Sequence, residues 1–329
     1  MQQPAQVPRN QELEREILAQ PPFAAGSLTF SRQLSAKHSH LFEYRFQSRD
    51  VLKSIIVKRQ FPGPGAERAT LCEYSNLKRL REVLNPALAE TIPEPLLALP
   101  ERGMLVTNKV RGEPLTGILK RHANLLTGPF RFRHLHESAQ RVGAWLRIFQ
   151  DSTRSEPIAY SRNRYLAELE ARVEMIQNKG FTVDFIREIL QRISLYSKTM
   201  DGKMVATAAR HGDFIPQNIL VEKERVSVVD FEGLSEREPV YEDLGMFLGY
   251  VLVLGGRMPY SSRALRAVRE GFLASFLGGD TIDQDFLNIY TLKGAVRVLG
   301  DGASLAKTWN GVGNMRQLTR RLKQLTGSC

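Results

Sequence analysis

The stretch His211-Gly-Asp-Phe-Ile-Pro-Gln-Asn218-Ile-Leu220, followed by Val226-Ser-Val-Val-Asp230-Phe-Glu232, constrains this chain more than any other. Val226–Phe231 is rich in β-branched residues and predicts a short strand carrying Asp230 at its end. Asp213 and Asn218 lie just upstream, on a loop that contains Pro216. Aspartate and asparagine oxygens are hard ligands suited to Mg²⁺. A further carboxylate nearby could accept a proton from a substrate hydroxyl. A lone Asp or Asn on a loop is usually a turn former or a cap. The three together, with a strand before the last, point to chemistry instead.

The region upstream reads as a small sheet with one helix. Leu28–Leu34, Leu41–Gln47 and Ser54–Gln60 predict strands; Phe42, Tyr44 and Phe46 alternate on one face, and Ile55-Ile-Val57 suits a more buried position. Phe61-Pro-Gly-Pro-Gly65 breaks the chain. Glu67–Leu84 then has Leu77, Leu80 and Leu84 at helical spacing, and Asn85-Pro86 stops it. A Pro-rich link, Ile92–Pro100, leads to a strand at Met104–Asn108. Lys58 ends a strand and Glu73 lies on the helix, so a Lys–Glu pair could hold a phosphate-binding ammonium in place.

After Gly112 the pattern is mainly helical: Leu135–Gln150, Arg162–Asn178, Thr182–Ser197, Asp243–Leu254, Ser262–Leu277, Asp283–Leu299 and Met315–Leu325, with Val205–Arg210 leading into His211. The expected organisation is a polar N-terminal tail over 1–26, an N-lobe over 27–110 and a helical C-lobe over 111–329, an α+β chain.

Composition narrows the class. With 329 residues and 42% hydrophobic content the chain can bury a sizeable core without staples. Cys72 and Cys329 offer neither a disulfide framework nor zinc spacing. No signal peptide is visible near the N-terminus, and the longest apolar run, Leu244–Gly256, falls short of the roughly 20 residues a membrane span needs. The expectation is a soluble, cytoplasmic protein. Lys and Arg total 46 against 35 Asp and Glu, a net charge of +11, which favours anionic partners.

The pattern H-G-D-x-x-x-x-N, then a strand ending in Asp, resembles the aminoglycoside phosphotransferase and choline kinase-like families, which share the protein-kinase-like fold. Ile55-Ile-Val-Lys58 looks like the strand lysine, and Glu73 matches the helix glutamate. Met104–Asn108 with Lys109-Val110-Arg-Gly-Glu-Pro-Leu115 looks like the hinge and its G-x-P-L turn, and Glu242-Asp243-Leu-Gly like the helix start after the metal aspartate. The resemblance implies ATP and Mg²⁺ in a cleft between two lobes, and transfer of the γ-phosphoryl group to a small-molecule hydroxyl. The acceptor would be a sugar, a glycan precursor, an amino alcohol or an aminoglycoside-like molecule. It implies Asp213 as base, Asn218 and Asp230 as Mg²⁺ ligands, and Lys58 on the α- and β-phosphates with Glu73 as its partner. Backbone near Asn108 and Val110 would meet the purine. His211 would support the catalytic loop, and Asp243 would cap a helix and brace that loop.

Two features depart from the family pattern. The segment expected to cradle phosphates, Ser35-Ala-Lys-His-Ser-His40, has no glycine, so contact would fall to Ser35, Ser39 or basic side chains. Asp230-Phe-Glu232 stands in place of Asp-Phe-Gly, and the short segment before Asp243 leaves little room for a peptide-docking platform. Two alternatives compete: an inactive kinase-like nucleotide-binding scaffold, and a basic adaptor for anionic surfaces. The latter would use basic residues within Ile118–Gln150 and the helix at 315–325, which allow contact with an anionic substrate or a membrane surface. Nucleic acid is disfavoured, because no binding motif or aromatic platform accompanies the charge.

Overall fold

Alternating aromatic and aliphatic side chains set the first layer. In a computed structural model describing residues 11–34, 39–49, 51–124, 130–178, a few positions between 187 and 195, 197–255 and 260–301, they form one antiparallel sheet. Its strands are β1 (Ser27–Leu34), β2 (Ser39–Ser48), β3 (Val51–Gln60), β4 (Pro95–Leu99) and β5 (Met104–Asn108), in the order β1-β2-β3-β5-β4. Phe42, Tyr44 and Phe46 of β2, Ile55 and Val57 of β3, and Met104 and Val106 of β5 share one core. Leu13 and Ile17 of the helix Gln11–Leu18 complete it. Residues 11–18 therefore belong to the folded sheet unit and not to a solvated tail. The Pro-rich link also differs from expectation, because Pro95–Leu99 pairs with β5 as an edge strand, where proline is tolerated.

The chain divides into two units. The first runs to Glu82 and takes in Ile92–Val110; the second holds Val83–Thr91 and everything from Arg111. The return of Val83–Thr91 to the second unit has no periodicity signal in sequence.

The second unit is built on long helices. Phe130–Ser152 packs along Ser262–Leu277, and Tyr241–Leu254 along Gln284–Asp301. The last two approach so closely that a Cβ at Gly245 would lie 2.3 Å from the Tyr290 carbonyl oxygen, and one at Gly294 2.2 Å from the Gly245 carbonyl oxygen. Among the described residues, two three-stranded sheets complete the unit. In one, Ile219–Glu222 sits between Glu113–Pro114 and Arg225–Val228; in the other, Met204–Arg210 sits between Ser155–Ala159 and Ser235–Pro239. Of the expected helices, Met315–Leu325 and most of Thr182–Ser197 lie outside the described residues. Among the described residues no helix is long and apolar enough to cross a membrane.

Candidate active site

The loop after strand Met204–Arg210 is held from three sides. Gly212 has φ +88°, and a Cβ there would sit 2.3 Å from the Gly233 carbonyl oxygen, so this position needs glycine both for backbone conformation and for the close approach of the next segment. His211 is fully buried. Its Nε2 lies 3.0 Å from the Val229 carbonyl oxygen, and its Nδ1 accepts the Asp213 backbone N–H at 3.1 Å. The carbonyl requires a donor and the N–H an acceptor, which fixes a neutral ring protonated on Nε2. Burial pushes its pKa down to about 4, against the pull of the Asp230 charge. Phe214 and Phe231, both fully buried, flank the ring at centroid distances of 6.1 and 4.5 Å. Phe214 in turn stacks on Trp145 at 5.8 Å. His211 therefore supports the loop, joining it to the segment that ends in Asp230.

Asp243 supplies the third hold. Its carboxylate accepts the backbone N–H groups of His211 at 2.6 Å and Gly212 at 3.0 Å. Burial pushes its pKa up to about 6, with the two N–H groups opposing. The expected helix cap is absent. Val240 occupies the cap position of Tyr241–Leu254 without a side-chain hydrogen bond. Asp243 lies inside the first turn, where its oxygens reach the loop rather than its own helix.

The three polar residues singled out by spacing are close neighbours. Asn218 Nδ2 donates to Asp213 Oδ2 at 2.8 Å and to the Asp213 carbonyl at 3.0 Å. Both partners are acceptors, so only the amide nitrogen can face them and Asn218 Oδ1 remains as an acceptor. The Val229 N–H donates to the Asn218 carbonyl at 2.9 Å, which sets Asp230 beside the loop. The strand itself ends at Val228, short of the expected Phe231. Asp230 has φ 72°, a left-handed conformation that Asp tolerates better than most residues, and Phe231–Gly233 forms a single 3₁₀ turn. One carboxylate oxygen of Asp230 and one of Glu232 lie within 4.8 Å of each other. An amide oxygen and two carboxylates make a hard donor set that fits a divalent cation. Glu232 escaped the sequence reading as a ligand, although it stands two residues from Asp230.

In the sheet unit, Lys58 and Glu73 meet. Lys58 Nζ donates to Glu73 Oε2 at 2.7 Å, with side chains 15% and 6% exposed. Period two explains the geometry: Ile55 and Val57 enter the core, so Lys58 leaves the opposite face of β3. Glu73 shares the buried stripe of helix Ala66–Val83 with Thr70, Leu77 and Leu80.

Several polar groups of the hinge strand are taken up inside the sheet unit. The Asn108 backbone N–H donates to the Glu94 carbonyl at 3.0 Å, and its side-chain Oδ1 accepts the Glu94 N–H at 2.5 Å. The Lys109 N–H donates to Ser54. These groups are engaged within the sheet unit. Of the expected phosphate segment, Ser39 and His40 lie in β2 and residues 35–38 fall outside the described residues.

Arg297, on helix Gln284–Asp301, also escaped the sequence reading. Its Nη2 lies 3.8 Å from Asp213 Oδ1. Periodicity placed it on a helix, but no local pattern links it to a loop so far upstream. Much of the basic charge around Ile118–Gln150 is matched within the fold: Arg121 bonds Glu113, Arg133 bonds Glu137, and Arg147 bonds the Leu277 carbonyl and Asp280.

The sequence profile of the phosphotransferase enzyme family matches residues 32–284. No curated protein matches the chain significantly. Among solved structures, a thermostable mutant of an aminoglycoside phosphotransferase is 16% identical, with 96% of this chain and 98% of that one covered at a TM-score of 0.57. Amicoumacin kinase in complex with AMP-PNP and Ca²⁺ is 13% identical, covering 97% and 93% at a TM-score of 0.56. Choline kinase from Cryptosporidium parvum is 11% identical, covering 97% and 95% at a TM-score of 0.53. At these identities the likeness establishes the fold, the one that the family resemblance of the His211–Asp230 motif implies.

Proposed function

The chain belongs to the phosphotransferase enzyme family and is a small-molecule kinase, and from that premise we propose that it moves the γ-phosphoryl group of ATP to an acceptor hydroxyl with Asp213 as base. The observation that carries this reading is the double hydrogen bond from Asn218 Nδ2 to Asp213. It orients the Asp213 carboxylate and leaves Asn218 Oδ1 free of that pair. One amide thus serves two tasks: it positions the base and presents a metal-ligand oxygen.

The remaining roles follow from the contacts of each residue. Asp213 accepts the hydroxyl proton as the acceptor oxygen attacks phosphorus, a role worth about 10²–10⁴ in rate. Asn218 and Asp230, with Glu232 close by, would hold Mg²⁺. When bound, the ion neutralises phosphate charge as it builds in the transition state. Support for nucleotide and divalent-cation use comes from the amicoumacin kinase complex, which holds AMP-PNP and Ca²⁺. Lys58, held straight by Glu73, contacts the α- and β-phosphates. The Asn108 carbonyl and Val110 N–H meet the purine. His211 and Asp243 are positioning residues, since both act through the loop. Catalysis of this kind is chiefly positioning and electrostatics. The acceptor belongs to the sugars, glycan precursors, amino alcohols or aminoglycoside-like molecules.

The test is thermal stabilisation by ATP with and without Mg²⁺, in wild type and Asp230→Ala. A ligand that binds only the native state raises the midpoint. The expected result is a Mg²⁺-dependent rise that Asp230→Ala abolishes. Equal Mg²⁺ dependence in both proteins would remove the metal role, and no rise at millimolar ATP would overturn the kinase reading.

A further inference from the structure

We propose that Arg297 makes the acceptor site selective for molecules that carry an anionic group, a phosphate or a carboxylate, near the hydroxyl that is phosphorylated. The inference rests on the assignment of Asp213 as base. Arg297 Nη2 lies 3.8 Å from Asp213 Oδ1, and the two side chains are 29% and 33% exposed. At that distance the two charges interact electrostatically. A hydroxyl placed against Asp213 brings its neighbouring substituents within range of the guanidinium. A guanidinium matches the planar donor geometry of carboxylate and phosphate. A cationic substituent in the same place meets repulsion.

A second observation comes from three further carboxylates of the same unit. Lys293, one helical turn before Arg297, bonds both Glu168 and Glu242 at 2.5 Å. Arg164 bonds Glu238 at 2.9 Å and Glu168 at 3.1 Å. Arg210 stands 3.9 Å from Glu242. A site for a polycationic acceptor needs carboxylates not already neutralised by the protein. Here Glu168, Glu238 and Glu242 are each matched by a cation of the chain itself. The net charge of +11 points the same way.

Arg297 is also held rigidly enough to discriminate. Its helix is fixed by the Gly245–Gly294 approach, by Lys293, and by a hydrogen bond from Tyr165 Oη to the Ile289 carbonyl at 2.5 Å. The neighbouring helix Tyr241–Leu254 carries Asp243, which holds the Asp213 loop. The guanidinium and the carboxylate that braces the Asp213 loop are thus mounted on one packed helix pair.

The experiment measures ADP formation by the full chain with Mg²⁺ and ATP, using glucuronate and glucose 6-phosphate against glucose and glucosamine. The readout is the ratio of kcat/KM for anionic over neutral acceptor within each protein, which simple loss of folded protein does not change. Wild type should favour the anionic acceptors about tenfold or more, the size of one charge-assisted hydrogen bond. Arg297→Gln should bring the ratio near one, Arg297→Lys should restore part of it, and Arg297→Glu should favour glucosamine. A wild type that prefers glucose or glucosamine overturns the proposal, as does a ratio unchanged in Arg297→Gln. Turnover of none of these acceptors alongside Mg²⁺-dependent ATP binding also overturns it and leaves the kinase reading standing. Absence of Mg²⁺-dependent ATP binding removes both.

Discussion

The carboxylate of Asp243 accepts the backbone N–H of His211 at 2.6 Å, across more than thirty residues of chain. The same carboxylate takes the next N–H, that of Gly212, so a buried anion satisfies two consecutive donors where the chain turns toward Asp213. Turn geometry and the placement of Asp213, the proposed base, thus depend on one side chain.

Replacing Asp243 by Ala leaves two buried N–H groups unmatched. The expected loss is about 2–6 kcal/mol of stability, from a penalty of about 1–3 kcal/mol per orphaned group. Asp243→Asn keeps an acceptor oxygen and should lose less. Urea denaturation midpoints decide it; an Ala variant as stable as wild type would remove the bracing role.

Gly212→Ala should cost about 2 kcal/mol or more, because φ is +88° and the new Cβ would collide with the Gly233 carbonyl. Turnover should fall further than stability, since relief of the clash moves Asp213. A thermal scan and an ADP-release assay on the same preparation separate the two effects.

Asp213→Asn should lower turnover by about 10²–10⁴ while the nucleotide-dependent rise in melting midpoint persists. The substitution keeps an oxygen for Asn218 Nδ2 and removes only the proton acceptor. Turnover equal to wild type would show that another group takes the proton.

Acid stability carries two opposed contributions. His211 titrates at about 4 in the fold against an ordinary 6.5, so between these values the unfolded chain binds a proton that the fold excludes, and stability falls as pH drops through that window. Asp243 titrates at about 6 against an ordinary 3.8, so the fold binds its proton first and gains stability as pH drops from 6 to 3.8. Asp243→Asn removes the second contribution. Its stability should fall more steeply than that of wild type between about pH 6.5 and pH 4, by up to about 3 kcal/mol. Parallel curves for the two proteins would contradict the assignment.

Much of the candidate site's arrangement is legible in the sequence. Asp213, Asn218 and Asp230 announce themselves because a loop that presents hard oxygens, followed by a β-branched strand, is a local pattern. Lys58 and Glu73 were legible because period two and period 3.6 each fix a face, although Glu67 and Glu82 share the helical segment. The strands Ser155–Ala159 and Ser235–Pro239 were not, because both are short and polar and their register shifts against Met204–Arg210. Pro95–Leu99 was hidden by its prolines.

Sequence by itself determined the alternation that makes the five-stranded sheet, the helix spacing that follows it, and the residue types of the catalytic loop, because each depends on neighbours along the chain. Tertiary structure alone decided that Asp243 braces His211 and Gly212 rather than capping its helix. It also decided that Arg297 lies beside Asp213, and that Lys293, one helical turn before it, neutralises Glu168 and Glu242. Those relationships join segments tens of residues apart. Their partners are chosen by helix packing at Gly245 and Gly294 and by the cost of leaving a buried charge or N–H unmatched.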